Sequence, residues 1–462
     1  MTQIQATKTH RYNEQLERLV AESGLSHKRL AHRINELSLR DGMASQYTHT
    51  SVANWCRRGM VPRWPIPQFI GIAISEALGR PVTVSDIGMR DAEAAETSQL
   101  GLEFARRQDD ALDEAAHYWS AVNRRHFLTQ QAFAVSAFVT PVTRWLVEPV
   151  ESTQAHTGNL TVGRSHIDEL KQAADAARMW DSRYGCAGWK TKSLSEYLYE
   201  RAAPLLKGSY SVPVGRDLYR VTAELARLAG WTAFDAGQQD AAQRHFIQAL
   251  RLARAGGDVE LGSYILSTMA MQALMCGFTS EAIDMAQGAF QRDRRMEPRV
   301  AGFAKLIEAR AHARAKDGPA ASRCLAHAEK LQRSSTEGED RTWIGFFTHS
   351  RIITDAAEVF RDLGNPRATF AWHTLGGMPG KEFIRSRSVR LSVLASAHAL
   401  NGELEQSLHM GRESLEIFTR LGSVRGMDYL QTYSKSLSQW RREPQVMDFL
   451  AEVRKSRRSL AH

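Results

Sequence analysis

Between Thr48 and Pro65 the chain reads THTSVANWCRRGMVPRWP. His49, Thr50, Ser51 and Asn54 carry short side chains that donate and accept hydrogen bonds. The guanidinium groups of Arg57, Arg58 and Arg63 follow. Nothing here pairs a nucleophile with a base. The chemistry on offer is hydrogen bonding to polar edges and charge pairing with a polyanion. A second cluster, Ser26, His27, Lys28 and Arg29, opens an earlier helix. The backbone amides at such a start can hold a phosphate.

Motifs for catalysis are missing. GGMPGKE (376–382) fails as a phosphate loop, because Leu375 and Glu382 stand where that loop needs Gly and Ser or Thr. Glu114 and His117 have Glu-x-x-His spacing but no second pair, so they read as a helix surface. The sixteen histidines give no His-x-x-x-His with a nearby acid, and no Gly-x-Ser-x-Gly elbow occurs. Cys56, Cys186, Cys276 and Cys324 are widely spaced, which argues against a zinc module and a disulfide framework. The expectation is a protein that is not an enzyme and carries no cofactor or metal.

The elements around these residues are helical. Leu16, Leu19 and Val20 share one face, and Gly24 ends that helix. Ser26 caps a second helix over 26–37, with Leu30, Ala31, Ile34 and Leu37 inward. Thr48 caps a third through Arg58, with Val52 and Trp55 as its buried positions, and a fourth runs over 66–78. No alternating strand pattern appears, so the fold class is all-α. Residues 1–90 form one domain. Residues 91–163 form a helical connector, whose clearest linker is EPVESTQAHTGNLTVGR (148–164). Residues 164–462 form a repeat domain. There, Gly237 aligns with Gly277 and Ala242 with Ala282, the repeat continues through Gly318, and weaker copies follow through Gly364 and Gly402. Each copy is a helix, a turn in which Gly takes the positive φ, and a second helix with Ala inward. Such a pair buries its apolar face only by stacking on neighbours, giving a superhelix with a groove.

Two resemblances follow from these residues. LSHKRLAHRIN with THTSVANWCRRGMVPRWP resembles the helix-turn-helix domain of phage-repressor-like (XRE-type) transcription regulators, with a connection between the second and third helices longer than in that family. The repeat resembles the tetratricopeptide repeat, at spacings near 40 rather than about 34. Together they are similar to bacterial, actinobacterial-type regulators with a repressor-like head on an α-solenoid body. The resemblance implies binding of double-stranded DNA through His49, Thr50, Ser51 and Asn54 at base edges. It places Ser26, His27, Lys28, Arg29, Arg57, Arg58 and Arg63 at phosphates. It also implies a homodimer and a peptide or small-molecule effector in the repeat groove, as in quorum sensing. Trp231, Phe234, Tyr264, Met271, Arg310 and His349 are the candidates to line that groove. The rival expectation is a scaffold or adaptor that binds another protein without touching DNA.

Charge agrees with an anionic partner. The net charge is +9, and residues 1–90 hold 12 Lys and Arg against 7 Asp and Glu. The start of the chain lacks an apolar core of signal-peptide length, and no stretch reaches the roughly 20 apolar residues that span a bilayer. A cytoplasmic protein without membrane contact is expected.

Overall fold

The computed structural model describes residues 12–40, 45–62, 66–80, 82–84, 86–89, 99–124, 133–184, 191–293, 295–335 and 342–460. The chain divides between Gln99 and Leu100 into two compact units.

In the first unit, α1 (Glu14–Glu22) buries Leu16, Leu19 and Val20, as their spacing requires. Gly24 follows at φ +66° and turns the chain. Ser26 Oγ accepts from Arg29 N at 3.3 Å and starts α2 (His27–Arg40). That helix runs three residues past the expected end. The long connection to α3 (His49–Arg57) is pinned by one amide side chain. Asn35 donates to Tyr47 O and accepts from Tyr47 N, both at 2.9 Å, and also accepts from Ser45 Oγ at 2.8 Å. Arg33 forks onto Glu76 at 2.7 and 2.8 Å and so ties α2 to α4 (Ile66–Leu78). One core gathers the inward faces of all four helices with Val82, Ile87 and Met89.

The second unit opens with α5 (Gln108–Arg124), α6 (Val139–Val147), α7 (Arg164–Tyr184) and α8 (Thr191–Tyr197). The last continues through a π turn at Leu198–Ala202 into Ala203–Leu206. Six helix pairs follow. They are α9 (Val212–Asp235) with α10 (Gln239–Ala255), α11 (Val259–Met275) with α12 (Thr279–Gln291), and α13 (Pro298–Arg314) with α14 (Gly318–Arg333). Then come α15 (His349–Asp362) with α16 (Pro366–Gly376), α17 (Ile384–Leu400) with α18 (Leu404–Leu421), and α19 (Val424–Ser436) with α20 (Pro444–Leu460). The first helix of each pair packs on the first helix of the next. In addition, α9 meets α19 and α7 meets α17, so the array curls until its ends touch.

Gly237, Gly277, Gly364 and Gly402 take φ between +76° and +94° at the turns inside their pairs. The third pair departs from this. Its left-handed residue is Lys316 at φ +64°, and Gly318 is the first residue of α14. Asp317 accepts from Ala320 N at 3.0 Å as the cap, and Pro319 sits in the first turn. This helix-start chemistry draws Gly318 into the helix and moves the turn back two residues.

The stretch read as a connector enters the second unit's core from Leu100 onward, through Phe104, Trp119, Trp145 and Val162. The expected linker is a strap laid on α10. Arg251 holds Glu151 at 3.0 Å, Thr153 Oγ donates to Ala255 O at 2.7 Å, and His156 pairs with Tyr210 through the backbone. Among the described residues the chain is helical without strands, with isolated bridges at His156–Tyr210 and Thr161–Ser209. No helix among them is long and apolar enough to cross a membrane.

Candidate functional site

Two regions hold the sequence-predicted residues. The first is the outer face of α3. Val52 and Trp55 are buried, and Trp55 meets the Tyr47 ring edge-on at 5.1 Å. With that face anchored, His49 and Thr50 stand exposed, and Arg57 and Arg58 are exposed at the other end. Ser51 is half-buried, and its Oγ accepts from Thr48 N at 3.2 Å, so part of its bonding capacity caps the helix. Asn54 is half-buried, and its carbonyl accepts from Arg58 N at 3.0 Å. On α2, Ser26, Lys28 and Arg29 are exposed and His27 is half-buried. Arg63 lies outside the described residues. Among the described residues, Lys28, Arg29, Arg57 and Arg58 have no ion-pair partner, whereas Arg33 is held by Glu36 and Glu76.

The second region is a cleft of about 90 Å³ inside the curl of the second unit. Every lining residue comes from the first helix of a pair. Trp231, Phe234, Met271 and Arg310 meet there as expected. Tyr264 and His349 do not. Tyr264 is stacked on Trp343 at 5.2 Å and meets Phe303 edge-on at 5.4 Å. The segment carrying Trp343 and Phe346 seals that end of the groove, which makes Tyr264 core. His349 is the exposed first residue of α15, two residues before Arg351 and so on the opposite side of the helix from the cleft.

Sequence reasoning missed Tyr429 and the cleft's charged residues other than Arg310. Arg351, Asp355 and Glu358 come from α15, Arg385 and Arg390 from α17, and Arg425 and Tyr429 from α19. A partial signal existed. Trp231, Met271, Arg310 and Glu358 each sit six residues before the left-handed residue of their turn, at Gly237, Gly277, Lys316 and Gly364. Arg310 donates to Glu358 at 2.5 Å and to Tyr429 Oη at 3.2 Å. Burial works against its charge, but Glu358, Tyr429 and Asp355 outweigh that and hold its pKa above the usual arginine range. Arg425 lies over the Trp231 ring at 4.6 Å and bonds Asp235 at 2.9 Å.

Glu308, His312 and Cys324 bring one possible metal-ligand atom each within 4.8 Å of one another. Lys305 Nζ already sits 2.6 Å from Glu308, and burial pushes the Cys324 thiol up to about 11. The carboxylate therefore has a cation from its own helix, and the thiol is protonated at neutral pH.

The sequence model of a family described as the SP15 N-terminal domain matches residues 16–90 of the 462. That span covers the four-helix core of the first unit and stops short of the second. No curated protein and no solved structure matches the chain.

Proposed function

We propose that the chain is a sequence-specific DNA-binding transcription regulator. In this reading α2 and α3 are a helix-turn-helix. The exposed start of α3 lies in the major groove, with His49, Thr50, Ser51 and Asn54 toward base edges. Lys28, Arg29, Arg57 and Arg58 run along phosphates, with Ser26 and His27 at the start of α2. The second unit is a tetratricopeptide-like solenoid that joins two copies and responds to a small effector in its cleft. One observation carries the reading. The buried Val52 and Trp55 leave His49 and Thr50 of α3 exposed, with Arg57 and Arg58 at its other end and Lys28 and Arg29 on α2 all without an ion-pair carboxylate among the described residues.

Retention on genomic DNA fragments at low salt, followed as salt is raised, tests it directly. Retention with a steep salt dependence is expected. Asn54→Ala should keep the affinity for arbitrary fragments and lose the preference among them. A wild-type protein that passes over genomic fragments unretained at low salt removes the proposal and leaves the adaptor reading.

A further inference from the structure

Five arginines reach the cleft, and four of them are held by carboxylates. Arg310 has Glu358 at 2.5 Å, and Arg351 has Asp355 at 3.1 Å. Arg385 has Asp181 at 2.7 Å and Asp235 at 3.4 Å, and Arg425 has Asp235 at 2.9 Å. Arg390 is the exception. It is 2% exposed, and neither its Nη1 nor its Nη2 has a hydrogen-bond partner. Burial pushes its pKa down, and the more distant Asp355 and Glu358 act the other way without pairing with it. A buried guanidinium with two orphaned nitrogens is among the more costly groups a fold can keep. Its side chain borders the cleft.

We propose that the cleft binds a small molecule bearing one carboxylate next to an apolar body, and that Arg390 receives the carboxylate. The two orphaned nitrogens form a planar fork that matches the two oxygens of a carboxylate. The other four arginines of the lining each have a carboxylate partner, which leaves Arg390 as the lining cation that a ligand carboxylate would pair. A dianion such as phosphate would bring a second charge without a partner. Phe234, Met271, Met275, Val389 and Val393 line the same cleft and cover an apolar body, and the Trp231 ring offers a flat wall. A short-chain acid and the apolar C-terminus of a short peptide share this chemistry. The inference rests on reading the second unit as a sensor and needs nothing from the DNA-binding half.

The test uses the full-length protein. Thermal shift and calorimetry are run with hexanoate, hexanamide, inorganic phosphate, and alanyl-alanyl-leucine in its free and C-terminally amidated forms. Hexanoate or the free tripeptide should raise the melting temperature and bind, and the corresponding amide should do neither. Whichever acid binds more tightly identifies the source. Arg390→Met should weaken that binding about tenfold or more. The same variant, without ligand, should melt higher than the wild type, because an apolar chain replaces an unpaired buried charge. Arg390→Lys should bind more weakly than wild type while keeping the charge, since it lacks the fork. The proposal is overturned if neither acid binds at millimolar concentration, if amides bind as well as acids, or if phosphate binds in their place. It is equally overturned if Arg390→Met binds as wild type, or if that variant melts lower without ligand. DNA retention on the same samples separates the two proposals. Retention without an acid response removes this one alone, and an acid response without retention removes the DNA reading alone.

Discussion

The face of α3 and the cleft of the second unit both use arginine, in opposite ways. Arg57 and Arg58 stand in solvent, where a charge is cheap to hold and each contact is weak. Arg310 and Arg390 are almost wholly buried, where a charge is stable only with its partners or remains a standing cost. The first arrangement suits an extended, repetitive anion that is gripped by many interchangeable contacts. The second suits a single ligand placed to within a hydrogen bond. At Arg57 and Arg58, charge can therefore be changed without disturbing the fold. In the second unit, charge and fold are coupled.

The sharpest way to break this contrast is Glu358→Ala. It leaves Arg310 buried without its main partner and should destabilise the second unit by about 3–5 kcal/mol. The readout is the melting transition of that unit, and an unchanged transition would mean that the buried network is not structural. A somewhat smaller effect comes from pH. His245 is fully buried, with its Nε2 3.2 Å from Ser195 Oγ, and burial pushes its pKa down to about 3. Its folded pKa lies below its unfolded value near 6.5. Neutral His245 therefore favours the fold above about pH 6.5, and that contribution is lost as pH falls toward 3. Acidifying from pH 7 to 5 should cost about 2 kcal/mol, and His245→Gln should flatten this part of the melting-versus-pH curve.

On the solvent-exposed side, Arg57→Ala with Arg58→Ala should leave the melting curve alone. Affinity for every DNA sequence should drop about tenfold, and the salt slope should fall by about two. A preference that changes while overall affinity holds would assign these arginines to bases instead. The smallest effect expected is from Asn35→Ala. It removes both bonds that pin Tyr47 and should cost the first unit about 1–2 kcal/mol, read from the melting of that unit. DNA retention should weaken as well, although no charge has changed.

Much of the first unit was legible because its signals are local. Ser26 caps α2, and Gly24 turns the chain at positive φ, each within a few residues of the helix it bounds. The long connection before α3 was visible as a departure, but its clamp was not. Asn35 acts on Tyr47 twelve residues on, and no local pattern marks that pair. In the second unit the paired helices were legible through the turn glycines, apart from the turn at Lys316, where the cap residue Asp317 outranked the glycine beside it. The strap at 149–156 read as a linker because its Pro, Ser and Thr content is that of a loop, and its partners lie on α10, about a hundred residues on. Arg385 and Arg390 were missed for another reason. Arg390, Leu391, Ser392 and Val393 of α17 are buried in succession, so no polar stripe marked which face looked into the cleft.

The curl of the second unit sets how that cleft responds to change. Its wall is assembled from six helices, one per pair, so its width is the running total of the rotations between successive pairs. A small error at any one interface is carried along to the far end, where α19 meets α9. The cleft behaves as a vernier, in which fine slips along the stack become a visible mismatch at the closure. Side chains far from the cleft, such as the alanines between α11 and α12, therefore help to calibrate it.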